Sequence, residues 1–354
     1  MGKYKISDTA ILTDSGGERA LVVNRLEYLS NLNITNTIKD LSQDYFINRI
    51  HSFGGTVSGY SCGGSQSDGN HIQKFPFASD DNATDVGDLV EKVQLASGNS
   101  SATDGYVSGG DRSAAPYPTR YHQYIQKFPF ASNANAAAVG GLNRSRIRGT
   151  GQSSVSHGYL SGGLNTPQIE KFPFAAAYNA NTDVGNLSVL TNGFIAGHSS
   201  SSHGYISGGS NTGAPYDNKI EKFSFSVDAN ATDVGDLTVA RMQVAGQSSS
   251  THGYTSGGKA ANPSPPPSSM FTDVIDKFSF STDGNATDVG NLSSGRYDHA
   301  GQSSISNGYT SGGVQPSPFG TKNIIEKFPF SSDANATDVG DLVVAQQYAT
   351  GLQD

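Results

Sequence analysis

The stretch His252-Gly253-Tyr254-Thr255-Ser256-Gly257-Gly258 decides how the rest of the chain is read. Close copies stand at 58–64, 104–110, 157–163, 203–209 and 307–313, each carrying Gly-Tyr near its start and ending in Gly-Gly. Self-similarity at a near-fixed period is the signature of a repeat architecture, and it governs the fold assignment.

Two further landmarks share the period. Lys-Phe-x-Phe begins at Lys74, Lys127, Lys171, Lys222, Lys277 and Lys327. A segment like Asn-Ala-Thr-Asp-Val-Gly-Asp-Leu is centred on Val86, Val139, Val184, Val234, Val289 and Val339. Lys to Val is 12 residues in five copies and 13 in one; Val to the next Gly-Tyr tyrosine is 20 in four steps and 21 in one. Only the step from Gly-Gly to Lys varies freely. One connection per repeat therefore tolerates insertion, as surface loops do.

Each repeat reads as four short strands, a to d. In the fifth copy, 242–249 is a small-residue strand a, Thr251-His252-Gly253-Tyr254 a tight reversal, and Tyr254–Ser256 strand b. Ile275-Asp276-Lys277-Phe278-Ser279-Phe280 is strand c, and 286–292 a short strand d. Strict alternation does not put the apolar residues of strand c on one face, so it is packed on both sides or carries a bulge. Asn, Asp or His before the glycine fits a two-residue hairpin turn, which needs positive φ. His157, His203 and His252 are read as turn residues rather than metal ligands, since separate repeat units hold them apart.

Four-stranded units at this period resemble the kelch repeat of β-propellers. Gly-Gly follows strand b as in kelch, Lys-Phe-x-Phe stands where kelch carries a strand c tyrosine, and the kelch tryptophan is absent throughout. The resemblance implies an all-β, kelch-like β-propeller with four-stranded blades. Seven blades are expected, with the ring closed by both termini. Residues 10–41 align with strands b, c and d, residues 346–354 with strand a, and six further blades fill 48–345. Closure of this kind removes exposed sheet edges. Six blades plus an N-terminal arm is the alternative. Residues 1–9 read as a leader or docking arm.

Bulk properties narrow the function. A net charge of −8 disfavours a nucleic-acid partner, which needs a basic face. No stretch approaches 18 apolar residues, so no membrane span is expected. Cys62 is the single cysteine, read as a small buried residue. Gly253 to Lys259 fits a phosphate-loop pattern, but Ala260 follows it and the proline run after that admits no helix. The Asp228-x-Asn230-x-Thr232-Asp233 loops, copied at 80–85, 283–288 and 333–338, place oxygen ligands as calcium would want them. A plain turn is the favoured reading over calcium, because the copy at Val139 has lost its acids and the glycine and distal glutamate of an EF-hand are missing, and no cofactor is assigned. No catalytic constellation stands out from the repeat, so no enzyme activity is expected.

The functional pointer is geometric. The b–c and d–a connections of an up-and-down blade emerge on one face, and b–c is the variable one. Its longest copies are 111–124, 259–274 and 314–323. The candidate binding residues on this face are Tyr117, Arg120, Tyr121, His122, Tyr124, Arg241 and Arg296, of types favoured at interfaces. The near-identical repeats also resemble propeller proteins of marine bacteriophages. That resemblance implies a non-enzymatic virion component, tail-associated or fibre, assembled in the host cytoplasm. Its partners would be other virion proteins in a multi-subunit assembly, and a host-surface receptor or glycan. The alternative is a secreted, cell-surface bacterial propeller that binds glycan.

Overall fold

The computed structural model describes residues 54–65, 69–112, 121–175, 181–211, 216–261, 269–316 and 319–354, together with two short strands near the N-terminus. Those strands, Thr13–Ser15 and Glu18–Ala20, pair as a hairpin within a unit spanning Met1–Ile50. The second unit spans His51–Asp354. It is all-β and propeller-like among its described residues, with no helix and six four-stranded antiparallel sheets.

In chain order of strands a, b, c and d, sheet 2 holds Ser97–Ser100, Asp104–Ser108, Tyr124–Pro129 and Ala137–Gly141. Sheet 3 holds Thr150–Ser153, His157–Ser161, Gln168–Pro173 and Thr182–Asn186. Sheet 4 holds Ala196–Ser199, His203–Ser207, Lys219–Ser224 and Thr232–Asp236. Sheet 5 holds Ala245–Ser248, His252–Ser256, Val274–Ser279 and Thr287–Asn291. Sheet 6 holds Ala300–Ser303, Asn307–Ser311, Ile324–Pro329 and Thr337–Asp341. Sheet 1 takes strands b, c and d from Ser58–Cys62, His71–Pro76 and Thr84–Asp88, and its strand a from the C-terminal Thr350–Gln353.

That last pairing corrects one expectation. The C-terminal strand does not complete a blade begun by 10–41. It pairs with Ser58–Cys62, in the register Tyr60↔Leu352. The physical reason is side-chain fit. Leu352 enters a buried cluster with Tyr60, Cys62 and Ile72, and Asp354 accepts a hydrogen bond from the Ser58 amide at 2.6 Å. Most of 10–41 lies outside the described residues.

Strand c is packed on both sides, one of the two expected arrangements, with adjacent Ile275 and Asp276 both buried. The bulge lies in its partner. The register with strand d shifts after the second residue of strand c in all six sheets, as where Ile275 faces Gly290 and Asp276 faces Asp288, which leaves Val289 of strand d as the extra residue. The reversal differs from expectation. His252 and Gly253 lie inside strand b, and the turn is made one step earlier, where Ser249 Oγ accepts from the amides of Thr251 and His252. Gly253 is not needed for positive φ. Its strand c partner is Phe278, whose ring occupies the space a Cβ would fill, and the same holds for Gly59, Gly105, Gly158, Gly204 and Gly308. Gly257 and Gly258 do need glycine, with φ of 61° and 108°.

The two sequence landmarks turn out to be two halves of one joint. The Gly-Tyr tyrosine of each sheet packs on the Phe-x-Phe pair of the next. Tyr106 lies 4.8 Å from Phe174 and Tyr254 lies 4.7 Å from Phe330, both stacked. Tyr309 meets Phe75 and Phe77 of sheet 1 at 5.6 and 4.8 Å. Such pairs contribute about 1 kcal/mol each beyond area burial.

Hydrogen bonds follow the same order from sheet to sheet. On the inner edge, Arg148 N donates to Leu95 O, Phe194 to Arg148, Gln243 to Phe194, Asp298 to Gln243, Tyr348 to Asp298, and Leu95 N donates to Tyr348 O. The series returns to its start. A second series runs through Ser153, Ser199, Ser248 and Ser303 Oγ, then Gln353 Oε1 and Ser100 Oγ, each accepting from the amide of the preceding sheet. The Asn-Ala-Thr-Asp segments tie the outer rim, as where Asn230 Oδ1 accepts from Asn186 N at 3.0 Å.

Candidate functional site

The b–c connections leave each sheet beside the segment that enters strand a. Met242 and Lys259 pair there, as do Thr191 and Asn211, Gln94 and Asp111, and Tyr297 and Val314. Variable loops and strand a entries therefore share one face. Sheets 5 and 6 build hairpins on it. Lys259–Ala261 pairs with Ser269–Phe271, and Val314–Pro316 with Phe319–Thr321. Their exposed apolar residues are Met270 and Phe319, the latter 74% exposed.

Of the five described candidate residues, two are exposed at this face. Tyr121 bridges Asp111, and Tyr124 opens strand c of sheet 2 with Arg112 over its ring at 5.7 Å. Tyr117 and Arg120 lie outside the described residues. His122 is buried, 3.5 Å from Glu91, with its ring edge-on to Tyr124. It supports the loop and presents nothing to a partner.

Arg241 and Arg296 are corrected more sharply. Both are fully buried. Arg241 pairs with Asp276 at 2.7 Å and donates to Thr255 O at 2.8 Å. Arg296 pairs with Glu326 and donates to Thr310 Oγ1 and Gly312 O. Arg146 does the same with Glu170. The acid also accepts an amide of the preceding sheet, as Glu326 does from Ser293 at 2.8 Å. A signal for this was present in the copies. Where Gln346 replaces the arginine, strand c carries Gln73, and the two amides bond at 2.9 Å. The exchange is not general: in sheet 4 Thr191 stands in the arginine's place, and the buried Glu221 is kept, accepting from the Ser188 amide at 2.6 Å.

The acidic loops are committed as well. Asp228, Asp283, Asp333 and Asp80 each accept from the strand c lysine of the preceding sheet, as Lys222 donates to Asp283 at 2.6 Å. Their asparagines accept amides across the same joint. Among the described residues no group of three or more His, Cys, Asp or Glu side chains converges as a metal site would require. The three hairpin histidines lie in separate sheets, each with Nδ1 at 2.8 Å from the preceding hydroxyl. Cys62 is buried, and burial pushes its thiol up.

What remains is a feature no sequence motif marked. A cavity of about 150 Å³ lies among the six a strands and their entry segments. Its lining includes Leu95, Arg148, Phe194, Gln243, Asp298 and Tyr348, which occupy equivalent positions in the six repeats. All six have left-handed backbone, with φ from 58° to 63°. Such a conformation costs a side-chain-bearing residue about 1 kcal/mol. The returning series of hydrogen bonds holds it. Arg148 lies over the Phe194 ring at 4.4 Å, and Gln243 Nε2 donates to both oxygens of Asp298 at 2.8 Å.

Asp298 is 7% exposed, and its burial pushes its carboxyl up to about 7. Gln243, Tyr348, Lys259 and Arg148 pull the other way without cancelling it. In the unfolded chain the group ionises near its ordinary 3.8. The folded state thus holds a proton that the unfolded state has lost between about pH 4 and pH 7. Stability is therefore highest at the acid end of that window, falls as pH rises through it, and levels off above it. The expected loss from pH 5 to 7.5 is about 2 kcal/mol, discounted from the full linkage value for solvent relaxation. Urea melts of the parent and of Asp298→Asn check this: the variant should lack that component, and parallel pH profiles would refute it.

In comparisons with known proteins, no family model matches the chain and no curated protein is a significant match.

Proposed function

We propose that the chain is a non-enzymatic binding protein built as a closed, six-bladed, kelch-like propeller, and that it serves as a bacteriophage virion component, tail-associated or fibre. It engages a neighbouring protein or a host surface through the face that carries the b–c connections. The observation behind this reading is where the copies differ. Tyrosine, paired phenylalanines, Gly-Gly and the rim segments recur from sheet to sheet, while the b–c connections and the six left-handed residues around the cavity do not. Repetition serves the scaffold, and divergence gathers on one face, where binding residues on a rigid frame belong. The buried acids described above sit in pairs with cations or amides, which gives them structural work. The virion assignment rests on the resemblance of the repeats, and among the described residues no helix is long and apolar enough to cross a membrane.

Mass spectrometry of purified particles should find the chain at fixed stoichiometry with capsid and tail proteins. Its presence only in free or envelope fractions would favour the glycan-binding surface protein instead. Phe319→Ser combined with Met270→Ser should weaken attachment about tenfold or more without lowering the melting temperature, because both side chains are exposed. Unchanged attachment would remove the hairpins from the binding face.

A further inference from the structure

We propose that the central cavity holds a single carboxylated sugar residue of the hexuronic acid class, with the Arg148 guanidinium as partner of its carboxylate. The inference deepens the binding-face reading and rests on it.

The first argument is the pattern of differences. Three residues beyond the left-handed ring, every repeat places glycine: Gly98, Gly151, Gly197, Gly246, Gly301 and Gly351. A ring with a purely structural task would also be glycine, since glycine alone takes positive φ without strain. The chain instead places six different side chains there. Strain retained at equivalent positions, with different chemistry at each, is the mark of a site.

The second argument is the chemistry gathered. The Arg148 Nε is buried without a hydrogen-bond partner. Guanidinium is the planar fork that matches a carboxylate, and the Phe194 ring beneath it helps fix its plane. Phe194 and Tyr348 are half-buried, so they offer aromatic surface to the C–H face of a pyranose. Gln243 and Asp298 are buried and bonded to each other, and they form a fixed polar wall beside these groups. Lys259, held 4.6 Å over the Tyr297 ring, adds a second cation on the Asp298 side.

The third argument is size. A cavity of about 150 Å³ has room for roughly ten water-sized groups, so a hexuronic acid, with about thirteen non-hydrogen atoms, enters with part of its ring outside, and a nucleotide is excluded.

Calorimetry on the full chain with glucuronate, galacturonate and glucose tests the proposal. A uronate should bind at least about tenfold more tightly than glucose, the worth of one charge-assisted contact. Arg148→Ala should erase that difference. Arg148→Lys, which keeps the charge and loses the fork, should retain part of it and serves if the alanine variant fails to fold. Failure of the parent to bind either uronate at tens of millimolar, equal binding of uronate and glucose, or a preference unchanged by both variants would overturn the proposal. The attachment result for Phe319 and Met270 is read separately, so the wider binding face can stand if the sugar site falls.

Discussion

Gly351→Ala is expected to destabilise the protein by about 3 kcal/mol or more, enough to halt folding at moderate temperature. The six glycines that follow the cavity ring stand against one another. A Cβ on Gly351 would lie well under 3 Å from the Gly301 carbonyl oxygen, one on Gly301 would meet that of Gly246, and so on through Gly197, Gly151 and Gly98 back to Gly351. The obstacle at each step is backbone, which cannot rotate away as a side-chain tip can. Each a strand is also fixed by its pairing with strand b and by the serine series. Making room for one methyl would move a whole sheet and disturb the joints on either side. Gly284→Ala is the control. Nothing lies within 4 Å of its Cβ position and its φ is not positive, so a neutral or slightly stabilising change of about 0.5 kcal/mol is expected. Denaturant midpoints of the two variants decide the matter. If Gly351→Ala fell within about 1 kcal/mol of the parent, the close approach of the a strands would be wrong.

Arg296→Gln should cost about 3–5 kcal/mol, because Glu326 is left buried without its cation. The double variant Arg296→Gln, Glu326→Gln should recover most of that loss. The molecule already contains the product of this exchange. In sheet 1, Gln346 and Gln73 bond to each other, and Gln73 Oε1 accepts from the Val344 amide at 3.0 Å, the same task Glu326 performs for Ser293. A buried pair of amides carries a smaller desolvation penalty than a lone carboxylate. Melting temperatures of parent, single and double variants form the test. A single variant as stable as the parent, or a double variant no better than the single, would contradict the pairing. Loss of attachment with stability unchanged would return Arg296 to the list of contact residues.

The corrected expectations have two causes, side-chain direction and strand pairing. Arg241 and Arg296 were legible as arginines near a loop face, but direction is not written in the sequence. Backbone placement turns them inward, toward acids whose own separation along the chain varies with the loop between. His122 was misjudged in the same way, being one residue from the exposed Tyr121 and turned to the other side. The partner of the C-terminal strand was misassigned because small-residue strands fit several partners by pattern alone, and Leu352 discriminates only once its pocket exists.

The strand units, the position of the variable connection, and the tyrosine, phenylalanine and glycine landmarks that unite the sheets could be read from the residues alone. These are local or periodic properties, and a repeat prints them six times. The tertiary structure alone decided which strand closes sheet 1, which charges are buried, and that Leu95, Arg148, Phe194, Gln243, Asp298 and Tyr348 meet around one cavity. They are six unlike residues spaced about fifty apart, and only the return of the hydrogen-bonded series to its starting sheet brings them together.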